Sequence, residues 1–159
     1  MADEMMMRQA RNAFATLCDM LDSREWHYDR DDQNLVIKCG ANGEDIPIDI
    51  KIKVHADKQI VSLYSHLPFS VPEEDRVMAA LAVSAANFNM VDGSFDYNIS
   101  SGNILFRLTS SFKESLVSKE MFEYMLMVSC ATVDNYNDKF LMLFKHVMSL
   151  EDFIKFSKE

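Results

Sequence analysis

The fold is decided by residues 69–109, which read FSVPEEDRVMAALAVSAANFNMVDGSFDYNISSGNILFRLT. Ser70 and Glu73 have the spacing of a capping box, in which the Ser70 hydroxyl accepts a hydrogen bond from the Glu73 amide. This pattern predicts a helix over 71–88. Asp92-Gly93 follows the predicted end of the helix, where Gly can adopt positive φ without steric cost.

A β-hairpin is predicted directly after this helix. Aromatic and aliphatic residues alternate with polar residues over 95–99 and again over 104–108. The residues between them, 100–103, are of the types that form tight turns. The stretch therefore combines one helix and two antiparallel strands.

The chain before this stretch adds one helix and four strands. Apolar residues recur at helical spacing over 3–21, which indicates an amphipathic helix. Short strands are predicted over 26–28 and 35–39. Strict alternation over 46–55 indicates a strand with one buried face, and the apolar residues on both sides of 59–66 are typical of a more central strand. Because the connections are short, we expect an α+β fold with up to six antiparallel strands.

The C-terminal third of the chain, residues 118–148, is apolar around most of its circumference at both ends. As a single helix it would be about 45 Å long at 1.5 Å per residue. That length exceeds the roughly 39 Å diameter expected for a compact chain of this size. The helix therefore spans the whole domain, bends near Asp134 or projects to a partner. Ser149 can cap a last short helix over 150–156.

Methionine and phenylalanine are unusually frequent, with twelve and eleven residues. At helical spacing such residues usually pack in a core, but Met is also common on surfaces that adapt to varied partners. The apolar circumference of 118–148 exceeds what one sheet face can cover, so we expect part of it to form a dimer or protein-binding surface. The candidate residues are Met121, Phe122, Met125, Leu141, Phe144 and Met148.

Length and charge limit the classes of function. The 159 residues most simply form one domain over 1–159, with a core over about 25–148, an N-terminal helix and a short C-terminal tail. The net charge of −9 repels phosphate backbones and anionic lipid, and Lys51 and Lys53 share their strand face with Asp49. Nucleic-acid and membrane partners are therefore not expected. Since neither a signal peptide nor a membrane-spanning run is recognisable, we expect a cytoplasmic protein.

No motif for catalysis, cofactor binding or metal binding stands out. The three cysteines are widely spaced without a C-x-x-C, which argues against disulfides and zinc. The phosphate-binding and nucleophile-elbow motifs do not occur. The four histidines lack a paired spacing, although His55 and His66 can face each other across a hairpin. We therefore assign no catalytic, cofactor-binding or metal-binding residue and expect no cofactor.

Several short runs carry a resemblance to a known family. They are Ser65-His66-Leu67-Pro68 through Val71-Pro72-Glu73-Glu74, Asn87-Phe88-Asn89, Gly93-Ser94-Phe95-Asp96, Ser101-Gly102, Ile104-Leu105-Phe106-Arg107 and Val133-Asp134-Asn135-Tyr136. With these runs in this order, residues 26–148 resemble the YbjN family of bacterial sensory transduction regulators. The resemblance implies a fold similar to type III secretion chaperones, with helices on one face of a twisted antiparallel sheet and a dimeric assembly. It also implies a non-enzymatic regulatory or polypeptide-binding protein, and the comparison with chaperones is one of fold.

Two hypotheses of function follow. The favoured one is a dimeric binding module that recognises a polypeptide by strand addition at an open sheet edge or in an apolar groove. The alternative is a small-molecule binding protein or enzyme with a pocket between sheet and helices. A deep pocket with convergent polar groups near His55, His66 or Arg107 would favour this alternative.

Overall fold

One six-stranded antiparallel sheet organises the computed structural model, which describes residues 1–159. The strands lie in the order β1-β2-β3-β4-β6-β5. The α+β prediction with six antiparallel strands is therefore confirmed. The elements are α1 (Glu4–Ser23), β1 (Tyr28–Asp31), β2 (Val36–Ala41), β3 (Ile48–His55), β4 (Ile60–Ser70), α2 (Arg76–Phe88), β5 (Ser94–Asn98), β6 (Asn103–Ser111), α3 (Lys119–Phe144) and α4 (Leu150–Phe156).

Alternation along the strands separates a buried sheet face from an open one. In β3, Ile50 and Ile52 are buried, whereas Asp49 and Lys51 on the other face are exposed. Helices α1 and α3 contact β3 and each other, and α3 also contacts β4 and β6. The opposite face of β3 is polar, as is usual for an antiparallel sheet that has one face in water.

The centre of the sheet is β4, which pairs with β3 on one side and β6 on the other. This confirms the prediction that the strand over 59–66 is a central one. The register places His55 opposite Ile60, and His66 opposite Leu105 on β6. The prediction that the two histidines can face each other was therefore wrong, because the tight turn after β3 pairs His55 with the start of β4, six residues before His66.

The capping box predicted at Ser70 does not form. Ser70 is the last residue of β4, pairs with Asn103 on β6, and donates its hydroxyl hydrogen to the Asn103 side-chain oxygen at 2.9 Å. The Val71 amide donates to the Gly102 carbonyl at 2.8 Å, so the strand ladder holds this segment extended. A 3₁₀ turn over 73–75 then leads into α2, which begins five residues later than predicted.

Helix α3 is continuous through Asp134 and contains 26 residues, about 39 Å at 1.5 Å per residue. Of the three possibilities open from the sequence, the helix that spans the domain is the one observed. Its first turn is capped by Ser118, whose hydroxyl accepts from the Met121 amide at 3.1 Å. No helix of the chain is both long and apolar enough to cross a membrane.

An aromatic cluster joins α3 to the hairpin and to the C-terminal helix. The Phe140 ring lies 5.2 Å from Phe95 of β5 and 4.9 Å from Phe153 of α4, and the Tyr136 ring lies 5.4 Å from Phe95. Phe140 and Phe153 are completely buried. Helix α4, which Ser149 caps as predicted, therefore contributes to the same core as the sheet and α3.

Candidate partner-binding surface

Helix α2 carries its large apolar side chains on the side that faces water. Its buried side consists mainly of small residues, and Ala79, Ala82 and Ala86 are almost inaccessible. On the outer side Val77 is 70% exposed and Phe88 is 86% exposed. A surface helix usually has the reverse arrangement, with large apolar residues inward and polar residues outward.

The outer side of α2 also lacks charge. Residues 77–88 contain no ionisable side chain. Val77, Leu81, Ser84 and Phe88 follow one another at intervals of three or four residues, so they lie along one side of the helix. We call these four residues the α2 face. An uncharged apolar face of this kind is typical of a surface that a partner covers.

The six residues predicted as an interface are divided between the core and the surface. Phe122, Met125 and Phe144 are buried, and Leu141 and Met148 are half-buried. The buried ones lie in the chain's own core because α3 packs against the sheet, α1 and α4.

Met121 alone among the six is an exposed large side chain, at 43%. It shares α3 with two further exposed residues, Tyr124 and Met127. The Tyr124 hydroxyl donates to the Asp92 carboxylate, which brings the exposed Val91 close to this part of α3. We call Met121, Tyr124 and Met127 the α3 face.

The α2 face was not among the predicted site residues. The sequence did contain a signal for it, since residues 77–88 of the predicted helix lack a single charge. That signal was less conspicuous than the number of Met and Phe residues in α3.

The two edges of the sheet differ in how their backbone groups are satisfied. At β5, the Asn87 side chain donates to the Phe95 carbonyl at 2.9 Å and accepts from the Phe95 amide at 2.8 Å. Asn87 thus occupies the position that a further strand would take. At the other edge, β1 has only four residues and carries charged side chains. Strand addition is therefore obstructed at β5 and has a short template at β1.

The environments of Cys39 and Cys130 disfavour the reactive thiolate form. Burial raises the pKa of the Cys39 thiol to about 12 and that of Cys130 to about 11, so both thiols are protonated at neutral pH and are poor nucleophiles. No group of three or more His, Cys, Asp or Glu side chains is placed to hold a metal ion.

The pockets also differ from those of the small-molecule hypothesis. One cleft, of about 860 Å³, is lined mainly by polar residues and contains neither histidine nor Arg107. A depression of about 540 Å³ includes Arg107 but again neither His55 nor His66. The polar groups that the small-molecule hypothesis named therefore do not converge on one pocket.

Comparisons with known proteins identify the fold. No protein-family model matches the chain, and no curated protein matches its sequence. The chain is similar to the crystal structure of YbjN, a candidate transcription regulator from E. coli, with 15% identity and a TM-score of 0.56 over 76% of this chain and 85% of that chain. It also matches a chain of the HopA1-SchA chaperone-effector complex, with 14% identity and a TM-score of 0.49 over 77% of this chain and 91% of the other. The predicted likeness to YbjN is confirmed at the level of the fold.

Proposed function

We propose that this chain is a non-enzymatic, cytoplasmic regulatory or chaperone-like protein of one domain that binds a polypeptide partner as a homodimer. The α2 face is the observation that carries the proposal. The half-buried thiols of Cys39 and Cys130, whose pKa values are raised by burial, support the non-enzymatic part. The regulatory part follows the description of YbjN and rests on likeness of fold.

A second copy of the chain suits the α2 face well. Two copies related by a two-fold axis would place the same face of each helix against the other, which is the usual form of a homodimer. Association would remove Val77, Leu81 and Phe88 from water, and full burial of such a side chain is worth about 1.5–3 kcal/mol. No charge on 77–88 would lose its hydration, so the cost of desolvation is low.

The polypeptide partner is assigned to the α3 face. Met121, Tyr124 and Met127 are each about half-exposed, and Met side chains adapt to different apolar partners. Met121 belongs to the interface predicted from the sequence, and the buried Phe122 and Met125 lie on the same segment of α3.

The dimer is tested by measuring molar mass with size-exclusion chromatography and light scattering. We expect the full chain to have twice the 18.3 kDa mass of one copy, and Leu81→Glu to be a folded monomer because the charge would be buried in the interface. Leu116→Glu is the matched control, since Leu116 is an exposed leucine in the loop before α3. A monomeric wild type, or equal dissociation by both substitutions, would contradict the proposal.

Polypeptide binding is tested separately with labelled, unfolded peptides and fluorescence anisotropy. We expect Met127→Glu to weaken peptide binding several-fold, because it places a charge in an apolar contact. Val147→Glu is the control, since Val147 is exposed in the loop between α3 and α4. Failure of any peptide to bind, or equal weakening by the control, would contradict the role of the α3 face.

A further inference from the structure

An acidic cleft of about 860 Å³ lies where the ends of α2 and α4 meet the middle of α3 and the loop between β2 and β3. It carries five acidic side chains and two lysines, so its net charge is negative. These residues are Glu44, Asp45, Asp134, Asp138, Glu159, Lys139 and Lys158. None of the residues of the α2 face or the α3 face lines this cleft.

The fold concentrates like charges in the cleft. Asp134 and Asp138 are four residues apart on α3, a spacing at which two acids on a helix repel each other. Lys139 pairs with Asp138 but not with Asp134. The Glu44 amide donates to Asp134 at 2.8 Å, which holds the acidic pair Glu44-Asp45 beside it. The cleft therefore has a carboxylate surplus that the chain itself leaves uncompensated.

Tyr136 provides a second, independent indication of a ligand. It lines the cleft and is only 9% exposed, and its ring packs against Phe95, Phe140, Phe153 and Phe156. Its hydroxyl makes no hydrogen bond within the chain and is not fully enclosed. The neutral phenol oxygen can accept a hydrogen bond. A buried tyrosine usually has a partner for its hydroxyl.

The distribution of the carboxylates indicates the kind of cation. They are not grouped closely enough to hold one metal ion. A chain with several ammonium groups can instead place one charge near each carboxylate. The cleft volume also lies within the range of sites for small organic ligands.

We propose that this cleft binds an aliphatic oligoamine, with its ammonium groups at Asp134, at the Glu44-Asp45 pair and at the Tyr136 hydroxyl oxygen. Asp134 retains a second carboxylate oxygen that makes no hydrogen bond in the chain. The proposal does not depend on the dimer, because the two surfaces share no residue.

The test is isothermal titration calorimetry of spermidine into the full chain at constant ionic strength. We expect binding to the wild type, weakened about tenfold by Asp134→Asn, which keeps an oxygen for the Glu44 amide but loses the charge. Tyr136→Phe should weaken binding in the same direction. Asp49→Asn, an exposed carboxylate on the open sheet face, is the control and should change nothing. If Asp134→Asn does not fold, Glu44→Gln makes the same test at an exposed loop residue.

Two further titrations separate an oligoamine site from other cations. We expect magnesium chloride at matched ionic strength not to displace spermidine, and a blocked Lys-Ala-Lys peptide to bind more weakly than spermidine. Absence of spermidine binding, equal weakening by Asp49→Asn, displacement by magnesium or tighter binding of the peptide would each overturn the proposal.

Discussion

Helices α2 and α3 differ in where their large apolar side chains lie: those of α3 mostly face the core, and those of α2 mostly face solvent. In α3, Phe122, Leu126 and Phe140 point into the core, and the exposed apolar residues are few. In α2, alanines point inward while Val77 and Phe88 point outward. The comparison teaches that the amount of apolar sequence does not locate an interface. The location of an interface depends instead on which side of each helix the rest of the chain leaves uncovered.

The same type of substitution should therefore act on different properties in the two helices. In α3 it should lower the free energy of unfolding of each copy, because the core loses packing. In α2 it should change association and leave each copy stable, because the side chain has few neighbours in its own chain.

The largest expected effect is that of Phe140→Ala. Phe140 is completely buried among Phe95, Phe144 and Phe153, and we expect a loss of about 3–5 kcal/mol in unfolding free energy. Phe88→Ala removes the same side chain from the α2 face and should cost less than about 0.5 kcal/mol in a monomeric background such as Leu81→Glu. Urea unfolding of both variants measures the difference. Similar losses for the two would show that α2 is covered within one copy.

A smaller effect is expected at the junction of α2 with the sheet. Asn87→Ala removes both hydrogen bonds to the Phe95 backbone and should cost about 1–3 kcal/mol, since those groups are partly buried. The variant also uncovers the β5 edge, so it should aggregate more readily on partial unfolding. Asn89→Ala is the control, because the Asn89 side chain is exposed and makes no hydrogen bond within the chain. Thermal unfolding measures the loss of stability, and light scattering measures the aggregation. If Asn87→Ala has the stability and aggregation of the wild type, Asn87 does not protect the β5 edge.

The smallest effect concerns pH: the stability that α3 contributes should depend on pH, whereas association through α2 should not. The Cys130 thiol of α3 has a pKa raised by burial from 9.0 to about 11. Its contribution to stability is fully present below pH 9 and is lost as the pH rises through about 11, because the unfolded chain releases this proton first. In reducing buffer, the melting temperature of Cys130→Ala should therefore fall less than that of the wild type between pH 8 and pH 11.

Association through α2 should behave differently over the same range. Residues 77–88 contain no ionisable group, so the dimer fraction should stay constant between pH 8 and pH 10 while the chain remains folded. Analytical ultracentrifugation at both values measures it. A dimer that dissociates within this range would place charged residues in the interface and move it away from the α2 face.

Local patterns were sufficient for most of the elements. The hairpin over 95–108, the alternation of β3 and the Ser149 cap of α4 all depend on neighbours in sequence, and each was predicted. The capping box at Ser70 was wrong because its hydroxyl is engaged by Asn103, which is 33 residues away. A pattern of four residues contains no information about such a contact.

The candidate sites were less predictable than the elements. Three of the six residues proposed as an interface lie in the core, and the acidic cleft joins Glu44 to Asp134 across 90 residues. Gly43 belongs to the same contact. A Cβ at this position would lie 2.5 Å from the Asp134 carboxylate oxygen, so a larger residue would clash with it. These juxtapositions depend on how β3 and α3 pack, which no local pattern specifies.

The sequence by itself determined most of the helices and strands, the antiparallel sheet and the absence of charge on 77–88. Hydrophobic periodicity and charge are properties of neighbouring residues, so local patterns are enough to read them. Only the tertiary structure decided which sides of those elements are covered. Strand β5 and helix α4 contact α2, whose alanines are buried, and the sheet and α1 contact α3. Burial is a property of contacts between distant segments, so the surface available to a partner emerged only when the chain was folded.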